Sequence, residues 1–245
     1  MTKTIVLITG ANRGIGKGLL GLYLAKPNHL VIAANRNPDH PTSKELSDLP
    51  KAKGTSLLVV KIDSTVATDT ADAVKELESK GIDHIDIIIA NAGIAQLWPT
   101  VVEVQAKDIQ EHIDTNIYGW IHLFQGTLPI LKKSKNPIWV TIGSAAAFLE
   151  NYIPIRNAAY APTKLVQHYW TKEASVEEPT LTAFPIDPGW VQTEIGNRGA
   201  RLYGIEKATT TIEESTEGIL KVIDTATKET HSGKMWTWEG KQVPW

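Results

Sequence analysis

Short runs of apolar, mostly β-branched residues alternate along this chain with longer stretches in which apolar residues recur every three or four positions. The short runs are typical of buried β-strands, and the longer amphipathic stretches predict helices that cover a sheet. The predicted strands are residues 4–9, 30–34, 56–62, 85–90, 138–142, 181–186 and 234–237. The predicted helices are residues 14–26, 66–80, 107–133, 158–176 and 213–227.

Strands that alternate with helices predict a parallel sheet, because each right-handed crossover places a helix over one face. We therefore expect an α/β fold with one doubly wound domain over residues 1–245. It contains a seven-stranded, mostly parallel sheet with helices on both faces. Two stretches rich in turn-forming residues, 35–49 and about 190–212, are predicted to be loops, and the second is expected to cover a substrate.

Charge and composition exclude several kinds of partner. The 245 residues are 42% hydrophobic and 21% charged, which is typical of a folded globular domain. Lys and Arg number 25 against 27 Asp and Glu, and a net charge of −2 argues against nucleic acid or an anionic membrane. Because the chain has no Cys, disulfides, thiolate zinc sites and cysteine nucleophiles are excluded, and no metal site is expected. We expect a cytoplasmic protein, since no apolar run has the length of a signal or a membrane span.

The first predicted strand leads directly into the glycine-rich sequence TGANRGIG, and a helix pattern follows. Gly10, Gly14 and Gly16 allow a tight turn whose backbone N–H groups can approach a pyrophosphate at the helix N-terminus. Glycines also end strands for steric reasons, so the turn alone is weak evidence. Its place between a strand and a helix is what a dinucleotide site requires.

Tyr160 and Lys164 in YAPTK are four residues apart, so on a helix they share one face. A nearby ammonium lowers the pKa of a phenol, and such a pair can exchange a proton with a substrate oxygen. Ser144 ends a predicted strand, where ligands bind in parallel α/β sheets, and its hydroxyl can hold a carbonyl oxygen. Taken alone, each feature has an ordinary explanation, an exposed lysine on a helix or a serine that caps a turn.

Together these motifs resemble the short-chain dehydrogenase/reductase superfamily, and they occur in the same order over nearly the whole chain. They are TGANRGIG, Asp63, the Asn91-Ala92-Gly93 triplet, Asn116, Ser144, Tyr160 with Lys164, and Pro188-Gly189 followed by Thr193. The resemblance implies a Rossmann-like fold, a nicotinamide cofactor and a small-molecule ketone or alcohol as substrate.

The resemblance also implies roles for individual residues, with Ser144, Tyr160, Lys164 and Asn116 as the catalytic set. It places at Asn116 a helix kink and a water that relays protons to Lys164, and it places the nicotinamide ribose on Lys164. Asp63 is expected to bind the adenine. The residues expected to bind the cofactor are Gly10, Asn12, Arg13, Gly14, Ile15, Gly16, Asn35, Arg36, Asp63, Asn91, Ala92, Gly93, Tyr160, Lys164, Pro188, Gly189, Val191 and, for the carboxamide, Thr193.

The end of the second predicted strand, LVIAANRN, decides between the two nicotinamide cofactors. No acid is present there to bind the ribose 2′-hydroxyl of NAD, and Asp39 comes too late in the chain. Arg36 stands at that position beside Asn35, and Arg13 lies in the glycine-rich turn. Two guanidiniums can bind a 2′-phosphate, although both can also be solvated surface charges. We therefore predict NADP(H).

Trp98, Phe148, Tyr152, Trp190 and Tyr203 lie on the loops expected around the substrate, and aromatic walls suit a bulky aromatic ketone. The same side chains can simply pack the loops. PGWVQTEIGNRGARL, IDTATKETHSG and the terminal PW resemble fungal ketoreductases of the norsolorinic acid type, and more loosely carbonyl reductases of the sniffer type.

These observations predict an NADPH-dependent ketoreductase of secondary metabolism that acts, reversibly, on a bulky aromatic or polyketide-like ketone. Two alternatives remain open, a general carbonyl reductase of small ketones or aldehydes and a non-catalytic regulator that senses NADP. Apolar residues lie on more than one face of the helices around Asn116 and Tyr160, which favours a homodimer or homotetramer. These residues include Trp120, Phe124, Tyr169 and Trp170.

Overall fold

An eight-stranded sheet forms the centre of the computed structural model, which describes residues 3–245. Its strands are β1 (Thr4–Thr9), β2 (His29–Asn35), β3 (Ser56–Lys61), β4 (Ile87–Ala90), β5 (Ile138–Ile142), β6 (Thr182–Asp187), β7 (Met235–Thr237) and β8 (Gln242–Val243). They lie in the order β3-β2-β1-β4-β5-β6-β7-β8. Every neighbouring pair is parallel except β7 and β8. The strand order reverses at β1 and β4, the point beside which such sheets bind ligands.

The predicted parallel sheet is confirmed, and the structure adds one strand to the seven expected. β8 has two residues and pairs with β7 across a turn in which Gly240 has a φ of 81°. The Thr237 N–H donates to the Lys241 carbonyl at 2.9 Å and closes this turn. A two-residue strand is too short to produce a periodic pattern, so the sequence did not indicate it.

Helices cover both faces of the sheet. They are α1 (Gly14–Leu24), α2 (Pro41–Lys44), α3 (Asp69–Ser79), α4 (Ala106–His112), α5 (Gly119–Leu131), α6 (Ala161–Glu177), α7 (Glu194–Leu202), α8 (Ile212–Asp224) and α9 (Lys228–His231). Alternate residues of β1 enter two cores, because side chains along a strand point to opposite faces. Ile5 and Leu7 pack with residues of α3, α5 and α6, whereas Val6 and Ile8 pack with residues of α1 and α8.

The single helix predicted over residues 107–133 is wrong, because a π-helical turn at Ile113–Tyr118 separates α4 from α5. Asn116 lies in this turn and is fully buried. The next residue after the turn is Gly119, where a Cβ would overlap Ser64. Single π turns of this kind inside helices frequently occur at functional sites.

Both stretches predicted as loops contain helices. Residues 35–49 include α2 and a 3₁₀ turn at Glu45–Asp48, and residues 190–212 include α7. Gly196 and Gly199 suggest breaks in α7 because glycine disfavours helices. Their absent side chains instead allow close packing, since a Cβ at Gly196 would overlap the Val191 carbonyl and one at Gly199 would touch the Trp98 ring.

Two of the four aromatic side chains expected at a subunit interface lie in the core. Trp120 and Phe124 are 4% and 8% exposed, stack on each other and contact Trp139 edge-on. Tyr169 is half-exposed, and Trp170 packs partly against the same core. The homodimer or homotetramer therefore stays a prediction. Among residues 3–245, no helix has the length and apolar character needed to cross a membrane.

Candidate active site

The predicted site residues meet at the carboxyl ends of the parallel strands. The glycine-rich turn follows β1, the Asn91-Ala92-Gly93 triplet follows β4, Ser144 follows β5, and Pro188-Gly189 follows β6. In open α/β sheets ligands bind at this edge, in the crevice where the strand order reverses. The fold therefore brings together motifs that are far apart in the sequence.

The glycine-rich turn needs its glycines. Gly10 and Gly14 have φ angles of 62° and 52°, a region that side chains with a Cβ rarely adopt. Gly16 has no such torsion, but a Cβ there would overlap the Gly10 carbonyl. The turn therefore keeps its backbone accessible and brings α1 close to β1.

The N-terminus of α1 is open. Arg13 occupies the N-cap position in an extended conformation, no side chain caps the first N–H groups, and the first turn contains no acid. Unpaired N–H groups and the positive end of the helix dipole attract an anion. This end of α1, which includes Ile15, fits a pyrophosphate, so the residues present can hold a dinucleotide.

Three buried or half-buried asparagines brace this turn through side-chain hydrogen bonds. Asn35 Oδ1 accepts from the Ala11 N–H at 2.9 Å, and its Nδ2 donates to the Ser43 hydroxyl at 3.3 Å. Asn91 Nδ2 donates to the Thr9 carbonyl at 2.8 Å. The Asn12 amide similarly donates to Thr42, at 2.7 Å. These hydrogen bonds hold the backbone of the turn in place.

The two arginines predicted to bind a 2′-phosphate have different surroundings. Arg36 is exposed at the end of β2 and forms no ion pair within the described chain. Arg13 pairs with Glu194 at 2.9 Å, and both side chains are about two-thirds exposed. Glu194 was not predicted, because 181 residues separate it from Arg13 in the sequence.

Other predicted cofactor residues have local structural roles. Asp63 Oδ1 accepts from the Thr65 N–H at 2.9 Å and from its hydroxyl at 2.8 Å, which closes a turn. Thr193 caps α7 by accepting from the Gly196 N–H at 3.1 Å. Gly189 has a φ of 80°. Val191 is buried and forms an isolated bridge with Thr210, so it anchors the start of the segment that carries α7.

The proposed catalytic residues lie around the start of α6. Tyr160 is the N-cap of α6, and Lys164 Nζ lies 5.9 Å from the centre of its ring. A Cβ at Gly93 would lie 3.7 Å from Lys164 Nζ and 3.2 Å from Asn116 Oδ1. The triplet after β4 therefore lies beside Lys164 and Asn116. Ser144 Oγ caps the short turn Ala145–Ala147 by accepting from the Ala146 N–H at 3.2 Å. The capping role and a substrate contact are compatible, since the hydroxyl can still donate.

Burial has the largest effect on the pKa values of Tyr160 and Lys164. It raises the pKa of Tyr160 to about 12; a hydrogen bond with Ser144 lowers it, and the nearby Asp187 raises it. Burial also lowers the pKa of Lys164 to about 8. The expected lowering of the tyrosine pKa by the lysine is therefore wrong, because desolvation by burial is the largest influence on this phenol and raises its pKa. A protonated phenol is the form needed to donate a proton to an oxygen.

Both polar groups of the Asn116 side chain form hydrogen bonds with neighbouring residues. Its Oδ1 accepts from the Ile94 N–H at 2.8 Å, and its Nδ2 donates to the Thr163 hydroxyl at 2.9 Å. Its backbone carbonyl accepts from Gln167 Nε2 at 2.5 Å, and Gln167 Oε1 accepts from Lys164 Nζ at 2.9 Å. Gln167 was not predicted, although its place three residues after Lys164 on one helix was a usable signal.

Two further buried residues support Ser144. His168 Nε2 accepts from the Ser144 N–H at 3.2 Å, and burial and the Lys164 charge lower its pKa to about 3, so the ring is neutral. Trp245 contacts this ring edge-on. Asp187 accepts from the Ala145 N–H at 2.8 Å, and burial raises its pKa. Neither His168 nor Asp187 was predicted, because only the fold brings them behind Ser144.

The aromatic residues predicted around the substrate form no single wall. Trp98 packs near Trp190, since a Cβ at Gly199 would lie 3.5 Å from one ring and 3.8 Å from the other. The Arg198 guanidinium lies over the Trp98 ring, and this arginine was not predicted. Phe148 is buried against His168. Tyr152 is largely exposed and Tyr203 is half-exposed. The Tyr203 hydroxyl accepts from the Arg156 N–H at 3.1 Å.

Comparison with known proteins gives a consistent result. The family described as short chain dehydrogenase matches residues 4–201. A norsolorinic acid ketoreductase of Dothistroma septosporum is 43% identical over 99% of this chain and 93% of its own length. One of Aspergillus parasiticus is 39% identical over 99% and 92%.

Solved structures agree in fold over the full length. The NADPH-bound carbonyl reductase from chicken fatty liver has a TM-score of 0.85 with 28% identity, and it covers 100% of both chains. The carbonyl reductase Sniffer of Drosophila melanogaster has a TM-score of 0.86 with 25% identity, also over 100% of both chains.

Proposed function

The chain belongs to the short-chain dehydrogenase family and is an oxidoreductase, and we propose that it works as an NADPH-dependent ketoreductase of bulky aromatic ketones. The grouping of Ser144, Tyr160 and Lys164 beside an open helix N-terminus is the observation that carries this proposal. A non-catalytic sensor of NADP has no need of a proton donor held at this point. Consumption of NADPH with a panel of ketones, followed by identification of the products, tests the proposal.

The chemistry divides between the cofactor and the protein. NADPH, when bound, supplies the hydride that reduces the carbonyl carbon. Ser144 donates a hydrogen bond to the carbonyl oxygen and orients it. Tyr160 gives its phenolic proton to the oxygen as negative charge develops there, which yields the alcohol. Lys164 places a positive charge beside the phenol and offers a donor to the ribose hydroxyls, and the reverse reaction uses the same groups.

The choice of NADPH over NADH rests on Arg36 and Arg13. We expect Arg36→Ala to weaken NADPH binding by roughly 10–100-fold, because a hydrogen bond to a charged group is worth about 1.5–3 kcal/mol. NADH, which lacks the 2′-phosphate, should bind Arg36→Ala and the wild type nearly equally. Titration of cofactor fluorescence with each protein measures both dissociation constants.

Glu194→Gln provides the opposing arm of this experiment. It removes the acid that pairs with Arg13 and frees the guanidinium for a phosphate. NADPH affinity should then hold or rise, with little change in stability, since an exposed ion pair contributes about 0–1 kcal/mol. Equal losses of NADPH and NADH affinity in Arg36→Ala would show that Arg36 does not contact the phosphate.

The aromatic substrate class rests on Trp98, Trp190 and the norsolorinic acid ketoreductases among the relatives. Trp190→Ala should raise the KM of aromatic ketones more than that of small aliphatic ones. Ring stacking contributes roughly 0.5–1.5 kcal/mol beyond burial, so a rise of about 2–10-fold is expected. Steady-state kinetics on matched pairs of ketones measure this difference.

A general carbonyl reductase is the second candidate, and it is favoured by the carbonyl reductases among the solved structures. It predicts higher kcat/KM for small aliphatic ketones and an equal effect of Trp190→Ala on both classes. Tyr169→Ala is the matched control, since this ring is 55% exposed on α6 away from the site and its loss should change neither class as much.

A further inference from the structure

Lys164 is 4% exposed, and its ammonium carries three N–H donors. Its Nζ donates to the Ile142 carbonyl at 2.7 Å and to Gln167 Oε1 at 2.9 Å. A buried ammonium is costly unless its donors are paired. These two acceptors therefore decide where the lysine charge lies, and the remaining donor is available to a ligand.

Gln167, which is 3% exposed, links this lysine to the π turn. Its Nε2 donates to the Asn116 carbonyl at 2.5 Å while its Oε1 accepts from Lys164. Because an ammonium only donates and a carbonyl only accepts, the amide satisfies both neighbours in one orientation only. The identity of residue 167 is therefore matched to the chemistry of both neighbours.

The space beside Gln167 leaves little freedom to this side chain. A cavity lined by Gln167, Thr9, Ser64, Gly119 and Trp120 has a volume of about 10 Å³. This is about the space that one water needs.

We propose that Gln167 is a positioning residue of the reaction, whose amide bridges Lys164 and the Asn116 carbonyl and thereby fixes the lysine charge beside Tyr160. This inference rests on the proposed function. The family resemblance implies a water between Asn116 and Lys164, whereas in this chain a side-chain amide makes that connection directly. Being neutral, the amide supplies an acceptor without cancelling the charge that faces Tyr160.

Few other titratable groups face Lys164. Tyr160 and His168 lie on the same helix, and Asp187 acts on Tyr160 from β6. The pKa of His168 is lowered to about 3, so this ring stays neutral near pH 7. From β5 and the π turn, the contacts of Lys164 and Gln167 are backbone carbonyls. A charge introduced at residue 167 therefore acts mainly on Lys164 and Tyr160.

Two near-isosteric variants, Gln167→Met and Gln167→Glu, separate positioning from packing. Gln167→Met removes both hydrogen bonds, so kcat should fall and the KM of NADPH should rise, each by about 10-fold or more. Loss of this acceptor destabilises the charged form of Lys164 and lowers its pKa. The rate of ketone reduction should therefore begin to fall at a lower pH than in the wild type. In Gln167→Glu a carboxylate favours the lysine ammonium and disfavours the phenolate, so the fall should occur at a higher pH. Each shift should be roughly one pH unit.

Thr127→Val is the matched control, because it also removes a buried hydrogen bond within a helix but lies on α5. Urea-unfolding midpoints of all variants report the structural cost. Opposite pH shifts in the two Gln167 variants support the inference even if one is less stable, whereas a purely structural role changes stability without moving the profiles. The inference would be overturned if the Gln167 variants that fold have the same pH profile of ketone reduction as the wild type and a kcat within about twofold of it.

Tyr160→Phe, measured in the same series, keeps the two claims apart. If Tyr160→Phe is inactive while both Gln167 variants behave like the wild type, the proposed function stands and the role of Gln167 is wrong. If the wild type itself reduces no ketone with NADPH, the proposed function is wrong. If Tyr160→Phe retains full activity, another group donates the proton, and the role given to Gln167 beside Tyr160 is wrong too.

Discussion

Replacing Tyr160 by Phe is expected to lower kcat for ketone reduction by about 10²–10⁴-fold, the usual contribution of a general acid. The phenol is protonated over the working range, since its pKa is raised to about 12, so the substitution removes the proton that the developing alkoxide needs. The dissociation constant of NADPH should change little, because the ring remains. Steady-state kinetics and cofactor titration measure the two quantities separately.

Tyr169→Phe is the control for this prediction. It makes the same chemical change on the same helix, at a half-exposed position away from the site, and should leave kcat unchanged. A Tyr160→Phe protein with kcat within a few-fold of the wild type would show that another group donates the proton.

Lys164→Met should abolish most activity and yet stabilise the cofactor-free protein. Burial lowers the pKa of Lys164 to about 8, so below pH 8 the folded protein holds a charged lysine at a cost of roughly 3 kcal/mol. Methionine avoids this cost but leaves the carbonyl acceptors of Ile142 and Gln167 unpaired. The net gain in the free energy of unfolding should be about 1–2 kcal/mol at pH 7. Turnover and NADPH affinity should both fall, because the charge and the donor to the ribose are lost.

The difference in stability between the wild type and Lys164→Met should depend on pH, and the pKa of Lys164 gives its direction. The folded-state pKa is lowered, so the unfolded chain binds more protons between pH 8 and the ordinary pKa of lysine. Wild-type stability should therefore rise relative to Lys164→Met as the pH increases through this window. Urea unfolding of both proteins at several pH values tests this expectation. A Lys164→Met protein less stable than the wild type at pH 7 would contradict the account.

The motifs that the sequence could reveal are those formed by neighbouring residues. The glycine-rich turn and the Tyr160–Lys164 spacing depend on local geometry, and the structure places both at the edge of the sheet where they were expected. The strands also follow the apolar runs closely. Element types were thus predictable where one local pattern dominates.

What the sequence could not reveal depends on contacts between distant segments. Glu194 meets Arg13 across 181 residues, and Asn35 turned out to hold the backbone of Ala11. The helix α7 was missed because glycine disfavours helices locally. Here glycine is favoured at residues 196 and 199, because Val191 and Trp98 pack closely against the helix at these positions. The direction of the tyrosine pKa shift was wrong for the same reason, since burial is a property of the folded chain.

Transfer of deuterium is the most direct test of the central claim that this chain is an NADPH-dependent ketoreductase. The protein is incubated with an aromatic ketone and with NADPH that carries deuterium in place of both hydrogens at C4 of the nicotinamide. The alcohol product is then analysed by mass spectrometry. We expect the wild type to yield an alcohol that carries deuterium at the carbinol carbon, and Tyr160→Phe to yield at least about 100-fold less of it. A wild-type protein that binds NADPH but yields no labelled alcohol from any aromatic or aliphatic ketone of the panel would contradict it.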